Sequence, residues 1–173
     1  MLPRFPPRLR QSLPPWGSVI RGVRIGVDVG TVRVGVAASD PDGIMAFPVE
    51  TVPRNDEAPA RIAAIADERG AIEVYVGLPR HLSGAEGVSA ADARAFAALV
   101  AERVDIPVRL IDERLSTMTA SRAMREAGRN AKSQRSDIDQ AAAVVILDTV
   151  LDAAKRGNLG KVATTVAREE NHD

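Results

Sequence analysis

From residue 23 onward, apolar residues alternate with small and polar ones, and this period of two runs through the first third of the chain. Residues 23–29 and 32–39 read as valine-rich strands joined at Gly30-Thr31. Pro41-Asp42-Gly43 is a turn, because proline fixes φ and glycine accepts positive φ. Residues 44–52 then complete an antiparallel meander. Beyond it the period lengthens. Residues 56–69 place Ile62, Ala63, Ile65 and Ala66 at helical spacing and stop at Gly70. Residues 72–77 form a short apolar strand that leaves through Gly-Leu-Pro into the polar loop RHLSGAEG. An alanine-rich helix over 88–104 follows, then a strand over 108–111 after Pro107. A helix over 117–127 is stopped by Gly128, and a last one covers 138–155.

This order predicts an α/β fold: a mixed five-stranded sheet, three antiparallel strands and then two parallel ones, with helices on both faces. Parallel crossovers gather the C-terminal strand ends on one edge, where ligand sites concentrate. The folded domain spans 22–156. Residues 1–21 hold five prolines and no usable period, which predicts a flexible Pro/Arg-rich arm. Residues 157–173 read as a frayed tail.

Composition narrows the function classes. With no cysteine, neither disulfides nor thiolate-bound zinc hold the fold, which suits a reducing cytosol. There is no apolar core of a signal peptide ahead of Gly22. The longest apolar run, 141–147, is far short of the roughly 20 residues a membrane span needs. A cytoplasmic, soluble protein with no membrane partner is expected. Net charge is zero, but the charges are segregated. Residues 1–24 carry five arginines and no acid, and 114–135 carry six basic residues against Glu126 alone. Basic segments beside an acidic pocket suit an enzyme that grips phosphates.

Three carboxylates stand where the fold turns them inward. Asp28 ends a strand on the same face as Arg24 and Gly26. Glu113 follows the strand VRLID. Asp139 lies in the first turn of the last helix, on a stripe with Ala143, Ile146 and Val150. Each has a plainer role available. Asp28 also suits the turn DVGT, Glu113 also suits a solvated charge ahead of a helix capped by Ser116 or Thr117, and Asp139 has capping-box spacing from Ser136. Asp112 and Asp137 compete with their neighbours for the same positions. Acids inside apolar elements are costly unless neutralised, and a divalent cation is the commonest neutraliser of a carboxylate cluster.

Four segments, GVDVGTVRVGVAASD, EVYVGLPRHLSGAEG, LIDERLSTMTA and DIDQAAAVVILDTVLD, resemble in wording and order the blocks of the YqgF family, also called RuvX. The resemblance spans about residues 22–153. It implies a ribonuclease H-like fold and a metal-dependent nuclease, acting on the 5′ end of precursor 16S rRNA or, as a dimer, on Holliday junctions in branched DNA. Its catalytic acids fall on Asp28, Glu113 and Asp139. The loop after Gly-Leu-Pro departs from the family by carrying Arg-His-Leu, and the arm and the tail REENHD lie outside the match.

The implied cofactor is a pair of Mg²⁺ or Mn²⁺ ions, with Asp28 bridging and Glu113 and Asp139 flanking; a hard oxygen donor set favours those ions over zinc. Arg122, Arg125 and Arg129 share a helix face and suit backbone phosphates, with Arg33, Arg114, Lys132 and Arg135 adding to that surface. Only five aromatic residues are present, two of them in the arm, so base stacking is poorly supplied and backbone and shape recognition of structured RNA or branched DNA is expected. The chain acts as a monomer or homodimer. Two other readings remain: a nucleic-acid-binding module without catalysis, and a phosphate binder of the actin and sugar-kinase type suggested by Asp28, Gly30, Thr31 and Gly35. The second needs a further lobe that 173 residues do not supply.

Overall fold

The computed structural model describes residues 21–81, 83–115 and 135–168. The predicted meander is present as β1 (Arg24–Val29), β2 (Arg33–Ser39) and β3 (Ala46–Pro53), paired antiparallel in sequence. Helix α1 (Ala58–Glu68) leads to β4 (Glu73–Leu78), and α2 (Val88–Ala101) leads to β5 (Val108–Asp112). A single 3₁₀ turn, Glu113–Leu115, follows β5, and the long helix α3 covers Arg135–Lys155. The helix expected over 117–127 lies outside the described residues, as do residues 1–20 of the expected arm.

The sheet order is β3-β2-β1-β4-β5-β6, with β1, β4 and β5 parallel. It holds six strands where the pattern predicts five. Part of the segment expected to fray is ordered: α4 (Leu159–Val162) and β6 (Ala163–Thr165) cover the edge of β5. Three residues are too few to show a period of two. What orders them is long-range, since β6 pairs antiparallel with Arg109–Ile111, and Leu159, Val162 and Ala163 pack against the α3-side core.

Alternation sorts the sheet into two faces. Ile25, Val27, Val34, Val36, Val74, Val76, Val108 and Leu110 form one core with Ile62 and Ile65 of α1 and Ala93, Phe96 and Val100 of α2. The opposite face, with Ala37, Tyr75 and Ile111, packs against Ala143, Ile146, Leu147 and Val150 of α3. That second face is lined with glycine where α3 crosses it. A methyl on Gly35 would overlap the Asp139 carbonyl, and one on Gly26 would lie 2.9 Å from the Ala143 carbonyl. The bare backbone lets the first turns of α3 sit directly on β1 and β2, and this seats Asp139 over the strand ends. The space beside Gly26 is filled by the α3 backbone and the Leu147 side chain.

Candidate active site

Asp28, Glu113 and Arg33 all belong by parity to the α3 face, at the edge where the parallel strands end. Asp28 is the penultimate residue of β1, and Glu113 begins the turn after β5. β4 runs between those strands, so an ordinary side chain there would keep the two acids apart. Gly77 supplies the gap: a Cβ at this position would lie 2.5 Å from Glu113 Oε1 and 2.6 Å from Ile146 Cδ1. The Glu113 side chain therefore lies across β4 and hydrogen-bonds Asp28.

The pair is partly buried, and the electrostatics follow. Burial pushes Asp28 up to about 6, the Asp139 charge adds to this, and the hydrogen bond from Glu113 pulls the other way. Burial likewise pushes Glu113 up to about 7, helped by the charge of Asp28, the hydrogen bond to it and the charge of Asp112. Glu113 is thus the protonated donor and Asp28 the acceptor as long as one proton remains between them.

Asp139 lies near enough for its charge to act on Asp28, and it is held by a cation. Arg33 Nε donates to its Oδ2 at 3.1 Å, with the two side chains 36% and 27% exposed. One residue on, Gln140 Nε2 donates to Thr51 Oγ1 at 3.0 Å and ties α3 to β3. The stripe expected with Asp139 does pack inward, since Ala143, Ile146 and Val150 are buried.

Asp112 points the other way, as its adjacency to Glu113 requires. It accepts the Arg114 fork, from Nε at 2.9 Å and Nη2 at 2.6 Å, together with the Arg114 backbone N–H. Of the basic residues expected to contact phosphate, Arg33 and Arg114 stand beside the carboxylates, each bound to an acid of the site edge. Arg122, Arg125, Arg129 and Lys132 lie outside the described residues, as do the side chains of Arg135 and Asp137.

Three contributors escape the sequence pattern. Gly77 reads only as a turn residue. Arg80 reads as part of a polar loop. Arg54, after β3, donates to the Gly30 carbonyl at 3.0 Å, grips both oxygens of Asp92 and lies 5.0 Å from the Phe96 ring centre. It thereby fastens the β1–β2 turn, and so the end of Asp28's strand, to α2. An arginine after a strand carries no signal of such a partner.

The donor set suits a hard divalent cation. Two carboxyl groups in contact share one proton, a third faces them, and all the donors are oxygens. A cation there would replace the proton and cancel like-charge repulsion. Among the described residues no three acidic or imidazole side chains already converge at ligating positions. Asp139 would have to exchange Arg33 for the ion.

A sheet of this order with acids at its strand ends is the ribonuclease H-like fold, and the solved structures agree. Thermus thermophilus RuvC bound to a Holliday junction superposes with a TM-score of 0.56 at 16% identity, covering 79% of this chain and 96% of that one. A second T. thermophilus RuvC structure gives 0.51 at 17% identity, covering 83% and 99%. The chain belongs to the RuvX family, described as Holliday junction resolvase, whose profile matches residues 22–153. Relatives share more than the fold. A protein of Rhodococcus opacus (strain B4), named as a candidate pre-16S rRNA nuclease, is 54% identical over 158 residues, covering 87% of this chain and 89% of the relative. A protein of the same name from Rhodococcus jostii (strain RHA1) is 57% identical over 143 residues, covering 79% and 80%.

Proposed function

We propose that this protein is a nuclease that hydrolyses phosphodiester bonds in structured nucleic acid, and that its substrate is the 5′ end of precursor 16S rRNA. The observation that carries the chemistry is the partly buried, hydrogen-bonded Asp28–Glu113 pair with Asp139 near it. The relatives' shared name favours the RNA substrate.

In this reading Asp28, Glu113 and Asp139 would hold Mg²⁺ or Mn²⁺ as a two-ion site. Bound divalent cations supply charge neutralisation, an acidified water and a stabilised leaving oxygen. The chain's own part is to hold the acids rigidly. Gly77 admits Glu113, the α3 seat on Gly35 fixes Asp139, and Arg54 fixes the turn after Asp28. Glu113 is the group whose carboxyl holds a proton near neutrality. Arg33, once off Asp139, and Arg114 face the polyanion.

The second reading is resolution of Holliday junctions in branched DNA by a dimer, which the family description favours. One experiment separates them. The full chain is incubated with Mg²⁺ and either an RNA carrying a precursor 16S end or a four-way DNA junction, with Asp28→Asn as control. Cleavage of the RNA alone, lost in the variant, is expected. Paired symmetric cuts in the junction would replace the RNA assignment, and cleavage that survives Asp28→Asn would remove the site. Among the described residues no helix is long and apolar enough to cross a membrane.

A further inference from the structure

Residues at the strand-end edge that the carboxylate cluster does not use sit on its α2 side. Leu78, the last residue of β4, pairs with Asp112, the last of β5. Arg80 and Arg114 each come two residues after one member of that pair, so two guanidiniums emerge from adjacent strand ends. Asp112 lies between them: Arg114 grips it through its fork, and Arg80 Nη1 stands 3.9 Å from its Oδ2.

The loop behind Arg80 is built to keep it there. His81 N–H donates to the Ala85 carbonyl at 3.0 Å, and Gly84 N–H donates to the His81 carbonyl at 2.8 Å. Gly84 takes φ +87°, a left-handed value that favours glycine. A Cβ added at Gly84 would lie 3.2 Å from Arg114 Nη1, so the turn lies close against the second guanidinium. Glu86 then reaches back to Arg80 Nη2 at 3.2 Å and is itself bound by Arg94.

The charge count leaves a surplus. Arg80, Arg94 and Arg114 face Glu86 and Asp112, giving three cations against two anions. Arg80 is the least satisfied of the three. It pairs with Glu86 at 3.2 Å, stands 3.9 Å from Asp112, and its Nε is buried without a hydrogen-bond partner among the described residues. A guanidinium held in place but short of acceptors is prepared for an anion with several oxygens.

We propose that Arg80, seated on Asp112 and Glu86, forms with Arg114 a two-guanidinium clamp for a backbone phosphate beside the one being cleaved. Arg80 is then a substrate-binding residue, and Asp112 a positioning residue that acts through both arginines. A nuclease edge carrying three carboxylates repels a polyanion, and the clamp offsets this on the side that Arg33 does not serve. The inference rests on the nuclease reading above and adds to it the residue that grips the strand on the α2 side.

The test measures binding without cleavage. Anisotropy of a fluorescein-labelled RNA hairpin carrying a precursor 16S end, and of a labelled four-way DNA junction, is followed in EDTA over a KCl series. The proteins are the full-length wild type, Arg80→Gln, Arg80→Lys and, as a control from the β3–α1 ion pair, Arg61→Gln. Arg80→Gln should raise Kd about tenfold on the probe the wild type binds, and should flatten the log Kd against log[KCl] slope by about 0.7–0.9, the loss of one phosphate contact. Arg80→Lys should keep the slope and lose part of the affinity, which a merely structural role would not do. Arg61→Gln should match the wild type. Wild-type affinity and slope in Arg80→Gln overturn the clamp while leaving the nuclease reading intact. A wild type that binds neither probe overturns that reading instead.

Discussion

Replacing Asp28 by asparagine should stabilise the protein while destroying its activity, and the gain should depend on pH. The cause is the raised pair: Asp28 stands at about 6 against an ordinary 3.8, and Glu113 at about 7 against 4.5. Between pH 4 and pH 7 the folded chain therefore holds protons that the unfolded chain has released. Stability falls wherever the folded state binds more protons as pH rises, so the pair's contribution is fully present below about pH 4, is lost through about pH 7 and is flat above. Each pKa unit corresponds to about 1.4 kcal/mol, which makes either shift about 3 kcal/mol taken alone. The two groups interact, so the two titration steps belong to the pair and not to either residue alone. Asparagine keeps the shape, removes one charge and leaves Glu113 buried, so about 2 kcal/mol should return near pH 8. For a chain of this size that is a rise in Tm of roughly 4–8 °C. The assay is thermal unfolding of wild type and variant in EDTA at about pH 4 and pH 8. A variant no more stable than wild type at the higher pH, or equally stabilised at both, would refute the argument that Asp28 is a charge held at a cost. Repeating the melt with excess Mg²⁺ should raise the wild-type Tm near pH 8 and leave the variant unchanged, because only the former retains the Asp28 carboxylate.

Other substitutions probe how the acids are held. Gly77→Ala should lower cleavage at least tenfold while costing about 1–2 kcal/mol, since the added methyl meets the movable ends of Glu113 and Ile146; kcat and the urea midpoint measure the two effects. Gly35→Ala should cost more than Gly77→Ala, about 3 kcal/mol or above, because its methyl meets the Asp139 backbone and α3 must lift; equal urea midpoints for the two variants would contradict this. Arg33→Ala should tighten Mn²⁺ binding several-fold in calorimetry near pH 8, because the guanidinium competes with the ion for Asp139, and should weaken binding of nucleic acid; unchanged Mn²⁺ affinity would contradict it.

The placement of the three carboxylates was legible because alternation is a local property. Counting in twos from Val27 puts Asp28 opposite the α1–α2 core, and the same count separates Asp112 from Glu113. The first turn of α3 is likewise a local feature, and it carries Asp139 with the buried stripe Ala143, Ile146 and Val150. What alternation does not report is which strand lies between two others. β6 escaped because its order comes from β5 and from the α3-side core, with only three residues of its own. The ion pairs Arg33–Asp139 and Arg54–Asp92 join residues 106 and 38 positions apart, and no spacing rule reaches that far.

Gly77 shows why the two kinds of information must be combined. In the sequence it is one glycine in Gly-Leu-Pro at the end of an apolar strand, with nothing acidic beside it. In the fold β4 separates the strands that end in Asp28 and Glu113, and those acids meet only because residue 77 has no side chain. Their contact then sets the shared proton and adds to the burial that raises Glu113, and it fits the pair for a cation that replaces the proton. An alanine at 77 would leave all three acids in place and the strand pattern intact, yet it would displace the Glu113 carboxyl from Asp28. The proton-sharing pair therefore depends on an absent side chain as much as on the carboxylates themselves.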